Sequence, residues 1–138
     1  MYARLIERHT RRVYAHFNAQ DAEPAIKRFA EDAHLVFRGN SALAADLHGK
    51  REIATWLRKL MRLDLHWEIH DVLVRGTPWN TRLVTRYTAR LGESSGRAQL
   101  AYEGAQYARL RWGRVRLDDI LPDTEVVATY FSSNRPAD

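Results

Sequence analysis

Apolar residues recur every three or four positions in two stretches of the first half of the chain, which is the spacing of amphipathic helices. The first stretch covers residues 3–18, with an apolar face made of Leu5, Ile6, Val13 and Phe17 and with Tyr14 beside it. The second covers residues 50–61, with Ile53, Trp56, Leu57 and Leu60 on one face. Between them, Asp21 is a suitable N-cap for a short helix over residues 22–32. Residues 33–39 then predict a strand, and residues 40–49 predict a loop.

The second half of the chain changes to the pattern of strands. Segments rich in β-branched and aromatic residues alternate with short turn sequences, and they cover residues 65–76, 81–91, 99–113 and 114–121. A closing helix is predicted over residues 123–131, followed by a polar tail over residues 132–138. This order predicts a single α+β domain over residues 1–131, with three or four helices packed on a strongly curved antiparallel sheet. The predicted core consists of Leu5, Val13, Phe17, Ile53, Trp56, Leu60, Leu110 and Ile120.

The composition excludes several classes of site and partner. The 138 residues include no cysteine, so disulfides, zinc–thiolate sites and cysteine nucleophiles are excluded. The net charge is +5, but the arginines are scattered among acidic residues, so we expect no specific nucleic-acid partner. The N-terminal segment lacks the apolar run of a signal peptide, and no segment approaches the ~20 apolar residues of a membrane span. We therefore expect a cytoplasmic protein with no membrane partner.

Two adjacent carboxylates, Asp118 and Asp119, lie in the last predicted strand. Because successive side chains of a strand point to opposite faces, one carboxylate faces solvent and the other faces whatever the sheet encloses. Counting alternate positions from Gly113 places Gln106 and Asp118 inward, and Tyr107 and Asp119 outward. The sequence therefore predicts Asp118 as the carboxylate of a site.

The three polar candidates for this site each have two interpretations. An enclosed Asp118 is either a general acid or base, or the structural ion-pair partner of an arginine such as Arg86 or Arg116. Tyr14 either packs its ring in the core or donates a hydrogen bond to a ligand. A buried Gln106 needs hydrogen-bond partners, and a ligand oxygen is one way to supply them.

A second group of polar residues lies on another predicted strand, where His66, Glu68 and His70 share one face. Such a trio could in principle bind a metal, but no helical metal-binding signature is present and nothing supplies the outer partners that metal ligands need. We favour a polar outer face and predict no metal. The chain also has no Gly-rich phosphate loop and no Ser-His-Asp pattern, so we expect no cofactor.

Several segments carry a resemblance that spans nearly the whole chain: AHFNAQDAEPAIKRFAEDAHLVF, GKREIATWL and GAQYARLRWGRVRLDDILPDT. They resemble the cone-shaped α+β fold of SnoaL-like polyketide cyclases, ketosteroid isomerases and the nuclear transport factor 2-like superfamily. The most specific pieces are the hairpin RLRWGRV and the helix-opening PDT, while GTPWNTRLVTRY resembles a PWNT-bearing bacterial branch of SnoaL-like proteins. The resemblance implies a mostly apolar pocket. Its expected lining residues are Phe17, Phe37, Trp56, Leu60, Tyr87 and Ile120.

The chain also departs from the enzymes that it resembles. Phe37 occupies the position of the isomerase base, and Ile120 lies near that of the cyclase acid. Neither of these side chains can accept or donate a proton. Gln106 stands where the isomerase has an oxyanion-binding acid, and it can still donate from its amide. Tyr14 is one residue out of register with the isomerase's first-helix tyrosine. The known isomerase and cyclase activities are therefore both disfavoured.

These observations favour a protein that binds a small, largely apolar molecule and performs acid/base chemistry on it, such as isomerisation, dehydration or epoxide hydrolysis. Asp118 would be the acid or base, with Gln106 and Tyr14 as donors to developing oxyanion charge. The alternative is a non-catalytic ligand-binding module or dimeric scaffold with the same fold. Because residues 83–87 carry apolar or aromatic side chains on both strand faces, we also expect a homodimer through the outer face of the sheet.

Overall fold

The computed structural model describes residues 1–92 and 99–134, which form four helices and six strands. The helices are α1 (Tyr2–Asn18), α2 (Glu23–Arg28), α3 (Lys50–Met61) and α4 (Thr124–Ser133). The strands are β1 (Phe29–Phe37), β2 (Ala45–His48), β3 (Leu65–Thr77), β4 (Asn80–Leu91), β5 (Leu100–Arg111) and β6 (Arg114–Pro122). No helix in this part of the chain is long and apolar enough to cross a membrane.

The strands form one curved sheet in the order β2-β1-β6-β5-β4-β3, with β2 and β3 at its open edges. Hairpins join β3, β4, β5 and β6 in sequence, so these long strands run antiparallel. The pairing of β1 with β6 is parallel, which the sequence did not predict. The predicted α+β architecture of helices on a strongly curved, mostly antiparallel sheet is confirmed. Helix α4 continues to Ser133, into the stretch predicted as a tail, and residues 135–138 lie outside the described residues.

The boundary between α2 and β1 differs from the prediction. Helix α2 ends at Arg28, and Phe29 already has an extended backbone with φ −74° and ψ 139°. The helical spacing of Ile26 and Phe29 predicted a longer helix, yet Phe29 pairs with Val115 of β6. Pairing in the sheet has overridden the local periodicity, and Phe29 is buried in the strand.

The prediction of a loop over residues 40–49 was wrong for its second part, which forms β2. This short strand pairs antiparallel with the end of β1, from Phe37 beside Ala45 to His34 beside His48. Its sequence, ADLH, contains no β-branched or aromatic strand former, so only the pairing with β1 identifies it. Gly49 follows with a positive φ of 94°, which glycine adopts without strain, and leads directly into α3.

The buried face of α1 is rotated by one position from the predicted one. Ile6, Thr10 and Tyr14 are the buried residues of this helix, whereas Leu5, predicted in the core, is 60% exposed. A helix with 3.6 residues per turn buries a row spaced four apart, and Leu5 lies about 100° around the axis from Ile6. Of the other predicted core residues, Ile53, Leu60 and Leu110 are buried, and Val13, Phe17, Trp56 and Ile120 are half-buried.

The turn between β5 and β6 contacts the turn between β3 and β4 at one end of the sheet. Trp112 and Gly113 both have positive φ, 51° and 76°, as in the two-residue type I′ hairpin. The backbone N–H of Trp112 donates to the carbonyl of Pro78 in the β3–β4 turn at 2.7 Å. The indole ring of Trp112 also packs on Trp79, with ring centroids 5.9 Å apart. The two neighbouring hairpins are thus held together at their tips.

Candidate functional site

A cavity of about 100 Å³ lies between the concave face of the sheet and helices α1, α2 and α3. Its walls are mostly apolar and aromatic. They include the residues predicted to line a pocket: Phe17, Phe37, Trp56, Leu60, Tyr87 and Ile120. Asp118, Gln106 and Tyr14 line the same cavity. The structure therefore brings every sequence-predicted site residue to one place, while the roles of these residues toward a ligand stay predictions.

A β-bulge in β6 decides which of the two adjacent carboxylates faces this cavity. The pairing of β6 with β5 skips Arg116, which is the extra residue of the bulge. Beyond the bulge, Asp118 pairs with Ala108, and both side chains line the cavity. Strict alternation from the two-residue turn would instead have aligned Asp119 with Gln106 and turned Asp118 outward. Asp118 faces inward as predicted, but through a bulge that the sequence argument did not include.

A chain of hydrogen bonds links the three polar side chains of the cavity. The Tyr14 hydroxyl on α1 donates to Gln106 Oε1 on β5 at 2.7 Å. Gln106 Nε2 in turn donates to Asp118 Oδ1 on β6 at 2.7 Å. The orientation of the amide is determined by this order, since its oxygen accepts and its nitrogen donates. Three different elements thus hold the Asp118 carboxyl in one position.

The arginines considered as structural partners of Asp118 lie elsewhere. Arg86 pairs with Asp71 at 2.9 Å, and Arg116 pairs with Asp32 at 3.2 Å. Among residues 1–92 and 99–134, no basic side chain forms an ion pair with Asp118, which is only 5% exposed. The ion-pair interpretation of Asp118 is therefore wrong for both arginines. The carboxyl is buried with a neutral amide as its hydrogen-bond donor.

Burial raises the pKa of Asp118 from 3.8 to about 7, because a charge in this apolar cavity loses its hydration. The hydrogen bond from Gln106 lowers the pKa, and the nearby charge of Asp119 raises it further. The pKa of the Tyr14 hydroxyl is also raised well above its ordinary value, first by burial and then by Tyr87 and Asp118. Tyr14 therefore keeps its proton at neutral pH, while Asp118 can exchange its own.

Two further tyrosines of the cavity belong to the same cluster. Burial raises the pKa values of Tyr87 and Tyr102, so both hydroxyls are protonated donors at neutral pH. A Cβ atom added at Gly104 would lie only 2.6 Å from the Tyr87 hydroxyl oxygen, so the absence of a side chain there makes room for that ring. Tyr102 was not predicted from the sequence as a residue of this cavity. The alternation that selects Gln106 also places Tyr102 inward, four residues earlier on β5.

Two buried polar atoms near the cavity have no hydrogen-bond partner among the described residues: His9 Nε2 and Thr85 Oγ1. His9 lines the cavity, and burial followed by the charge of Arg28 lowers its pKa, so the ring is neutral at pH 7. Thr85 is paired in register with Gln106 on the neighbouring strand. His9 was not predicted from the sequence as a residue of this cavity. Its position four residues before Val13 on α1, and hence on the same helix face, could have indicated it.

The His66, Glu68 and His70 trio has other contacts. Glu68 Oε2 accepts from Arg90 Nη1 at 2.7 Å, and His70 Nε2 lies 2.7 Å from Thr88 Oγ1. A bulge in β3 between Ile69 and Asp71 also interrupts the alternation that the sequence argument assumed. These contacts support the interpretation of a polar surface.

Residues 10–117 match the family model for the SnoaL-like domain. The chain belongs to the SnoaL-like family. No curated protein matches it. Among solved structures, it is similar to Bal32a from a soil-derived mobile gene cassette, with 22% identity and a TM-score of 0.72 over 94% of this chain and 98% of Bal32a.

Two other solved structures extend the comparison. A steroid delta-isomerase from Pseudomonas aeruginosa shares 12% identity at a TM-score of 0.68, covering 92% of this chain and 85% of the isomerase. A nuclear transport factor 2-like protein of unknown function from Burkholderia pseudomallei shares 17% identity at a TM-score of 0.68, covering 88% of this chain and 95% of that protein. At these identities the likeness shows the fold. Members of this fold include isomerases, dehydratases and polyketide cyclases.

Proposed function

We propose that this SnoaL-like protein binds a small, largely apolar organic molecule in the cavity and catalyses proton transfer on it, with Asp118 as the general acid or base. The observation that carries the proposal is a buried carboxyl on the wall of an apolar cavity, with no cationic partner among the residues that the structure describes. A carboxyl whose pKa lies near 7 is matched to proton transfer at neutral pH. Perturbed acids of this kind concentrate at functional sites.

The size of the cavity restricts the class of ligand. Its volume of about 100 Å³ is smaller than the ~150 Å³ of an engineered cavity that holds benzene. A single ring or a short branched chain with one polar group is therefore the expected ligand. A steroid would need the walls to move apart.

The geometry favours a reaction in which one group both removes and returns a proton. Asp118 in its ionised form would remove a proton from a carbon beside a carbonyl group and then return it, to the same carbon or to another. Gln106 uses one amide hydrogen on Asp118, so its second amide hydrogen is the donor available to a substrate oxygen. Tyr14 donates to Gln106 and acts through it as a positioning residue. Isomerisation fits this arrangement better than a reaction that needs separate acid and base residues.

The proposal is tested by ligand-dependent exchange of carbon-bound hydrogen. The full chain would be incubated in D₂O with butanone or cyclopentanone, and loss of the α-proton signals would be followed by ¹H NMR. We expect exchange above the buffer rate that follows the ionisation of Asp118 and is lost in Asp118→Asn. Binding of these probes without exchange, shown by chemical-shift changes of cavity residues, would instead support the carrier alternative. No binding of any small apolar carbonyl compound would contradict the proposal.

We also propose a cytoplasmic homodimer that forms through the outer face of the sheet. Leu83, Thr85 and Tyr87 do not contribute to this outer face as the sequence predicted, because their side chains point inward from β4. The support comes instead from a row across three strands, where Leu73 pairs with Val84 and Val84 with Tyr107. Leu73 is 65% exposed. Light scattering at tens of micromolar, above typical micromolar affinities, should give twice the chain mass, and Leu73→Glu should give the monomer. A monomeric parent protein would contradict this proposal.

A further inference from the structure

A second cluster of polar side chains lies on the outer face of the sheet, opposite the cavity. The alternation of β1 buries Ala33, Leu35 and Phe37. The side chain of His34, between Ala33 and Leu35, therefore points outward. The register of β2 places His48 directly beside His34, and Asp46 lies two residues before His48 on the same strand face. The pairing of β1 with β2 therefore brings together two imidazoles and a carboxylate from a segment that the sequence predicted as a strand followed by a loop.

The donor atoms of this cluster already converge. His34 Nε2 lies 2.6 Å from Asp46 Oδ1, and His48 Nε2 lies 3.3 Å from the same oxygen. The two imidazole rings are stacked, with centroids 4.3 Å apart and an interplanar angle of 14°. One ligand atom from each side chain lies within 4.8 Å of the others. Two nitrogens and one oxygen thus lie close together at the protein surface.

We propose that His34, Asp46 and His48 form a binding site for a divalent first-row transition metal, with Zn²⁺ as the best-fitting cation. Imidazole and carboxylate donors suit such metals, whereas Mg²⁺ and Ca²⁺ prefer oxygen ligands alone. In a tetrahedral zinc site with bonds of about 2.0–2.2 Å, ligand atoms lie about 3.3 Å apart. The His48–Asp46 separation of 3.3 Å already meets this requirement.

Only small side-chain movements are needed to complete the site. The His34–Asp46 separation must open by less than about 1 Å, and the stacked rings must tilt so that their nitrogen lone pairs meet at one point. The side chains are free to do so, since that of Asp46 is 68% exposed and that of His48 is 71% exposed. Three protein ligands leave one coordination position for water, which is typical of catalytic rather than structural zinc sites.

The backbone beneath the cluster is held in place. The N–H of His48 donates to Glu52 Oε2 of α3 at 2.9 Å. The next residue, Gly49, donates to the carbonyl of Ala33 in β1 at 2.8 Å. These bonds fix the register of β2, so binding a metal requires rotation of side chains and no rearrangement of the strands.

The charges around the cluster leave Asp46 available to a cation. The positive charge of Arg38 acts on Asp46, but the Arg38 guanidinium forms two hydrogen bonds to the Asp119 carboxylate, at 2.9 Å and 3.0 Å. The competing interpretation is a hydrogen-bonded clamp, in which both imidazoles bind Asp46 and hold β2 against β1. A clamp contributes stability but has no affinity for a metal, so the two interpretations separate by experiment.

The test is isothermal titration of Zn²⁺ into the untagged, chelator-treated full chain, with Mg²⁺ in a parallel titration. We expect saturable binding of one Zn²⁺ per chain and no binding of Mg²⁺. His48→Ala removes a ligand and Asp46→Asn removes the negative charge of another, so each should weaken Zn²⁺ binding by at least about tenfold, since even outer-sphere changes cost 10- to 100-fold. His66→Ala, a histidine on another strand, is the matched control and should bind Zn²⁺ like the parent chain.

A second readout protects the test against misfolded variants. Circular dichroism of each variant reports the fold, and the visible absorption of Co²⁺ bound in place of Zn²⁺ reports nitrogen and oxygen coordination. We expect a Co²⁺ spectrum in the parent chain and in His66→Ala, and its loss in folded His48→Ala. The proposal is overturned if Zn²⁺ shows no saturable binding, if folded His48→Ala and Asp46→Asn bind it like the parent, or if His66→Ala weakens it equally.

Discussion

Asp118 and Asp119 are neighbours in the chain, but the sheet gives them opposite environments. On the outer face, both carboxylate oxygens of Asp119 accept hydrogen bonds from the Arg38 guanidinium, at 2.9 Å and 3.0 Å. On the inner face, Asp118 is 5% exposed and its carboxyl accepts from the neutral amide of Gln106 at 2.7 Å. One carboxylate is paired with a cation, and the other lines an apolar cavity.

The difference shows that the two faces of one strand can give two neighbouring aspartates different environments. A bidentate arginine satisfies a carboxylate in its charged form. A neutral amide in an apolar cavity leaves most of the lost hydration uncompensated, which is why the pKa of Asp118 rises to about 7. Asp118 can therefore exchange its proton at neutral pH. The extra residue in the β6 bulge determines which aspartate takes which role.

The largest difference between the two aspartates is expected when each is neutralised in turn and proton exchange on a bound ketone is measured. Asp118→Asn keeps the shape but removes the proton carrier, so the exchange rate should fall by roughly 10²- to 10⁴-fold. Asp119→Asn is the matched control and should leave the rate almost unchanged. Equal losses in the two variants would show that the inner position has no special role.

The same pair of variants should differ in the pH dependence of stability. The native-state pKa of Asp118 is raised from 3.8 to about 7, so the native state retains a proton that the unfolded state has lost between these values. The free energy of unfolding should therefore fall as the pH rises from about 4 to 7, by up to about 4 kcal/mol from this residue.

Urea unfolding at a series of pH values measures this effect. Asp118→Asn should remove the decrease and should be more stable than the parent chain at pH 8, whereas Asp119→Asn should retain the decrease. A parent chain whose stability is constant between pH 4 and pH 8 would disagree with a buried, uncompensated Asp118.

The packing beside Asp118 gives a smaller expected effect. Gly104→Ala would place a methyl group against the Tyr87 ring, 2.6 Å from its hydroxyl oxygen. Overpacking of this kind should lower the free energy of unfolding by about 1–3 kcal/mol. Combining it with Tyr87→Leu, which removes all three side-chain atoms within 3 Å of the added methyl group, should recover part of the loss in a double-mutant cycle. Purely additive losses would show that the two residues do not press on each other.

The smallest effect is expected on the outer face. Arg38→Ala removes the cation beside Asp119, but the pair is near water and the freed carboxylate can be hydrated. The midpoint of thermal unfolding should change little, and ketone exchange should remain at the parent rate. A large drop in either measurement would mean that the outer ion pair supports the inner site.

The sequence predicted much of this fold because the long strands and α3 carry clear periodic patterns. The limits of α3 match at residues 50–61, and the four hairpin strands lie where alternation placed them. Two local errors have a common cause. Phe29 fits a helical spacing in the sequence but pairs with Val115 of β6. The short strand β2 is identified only by its pairing with β1. Pairing between distant segments is not visible in local periodicity.

The candidate site was predicted less completely for the same reason. Alternation selected Gln106 and Asp118, yet the bulge at Arg116 that turns Asp118 inward has no signature in the sequence. The order of hydrogen bonds from Tyr14 through Gln106 depends on side-chain directions from three elements. The sequence predicts which residues two or four positions apart on one element share a face. It does not predict contacts between side chains of different elements.

A carboxyl ¹³C NMR titration of the chain, with Asp118→Asn used to assign the Asp118 signal, measures whether Asp118 is a buried acid that exchanges its proton near neutral pH. The structure predicts that the Asp118 carboxyl titrates with a midpoint of about 7 and that this transition disappears in the variant. A midpoint near the ordinary aspartate value of 3.8 would show a hydrated or compensated carboxylate and would contradict the account.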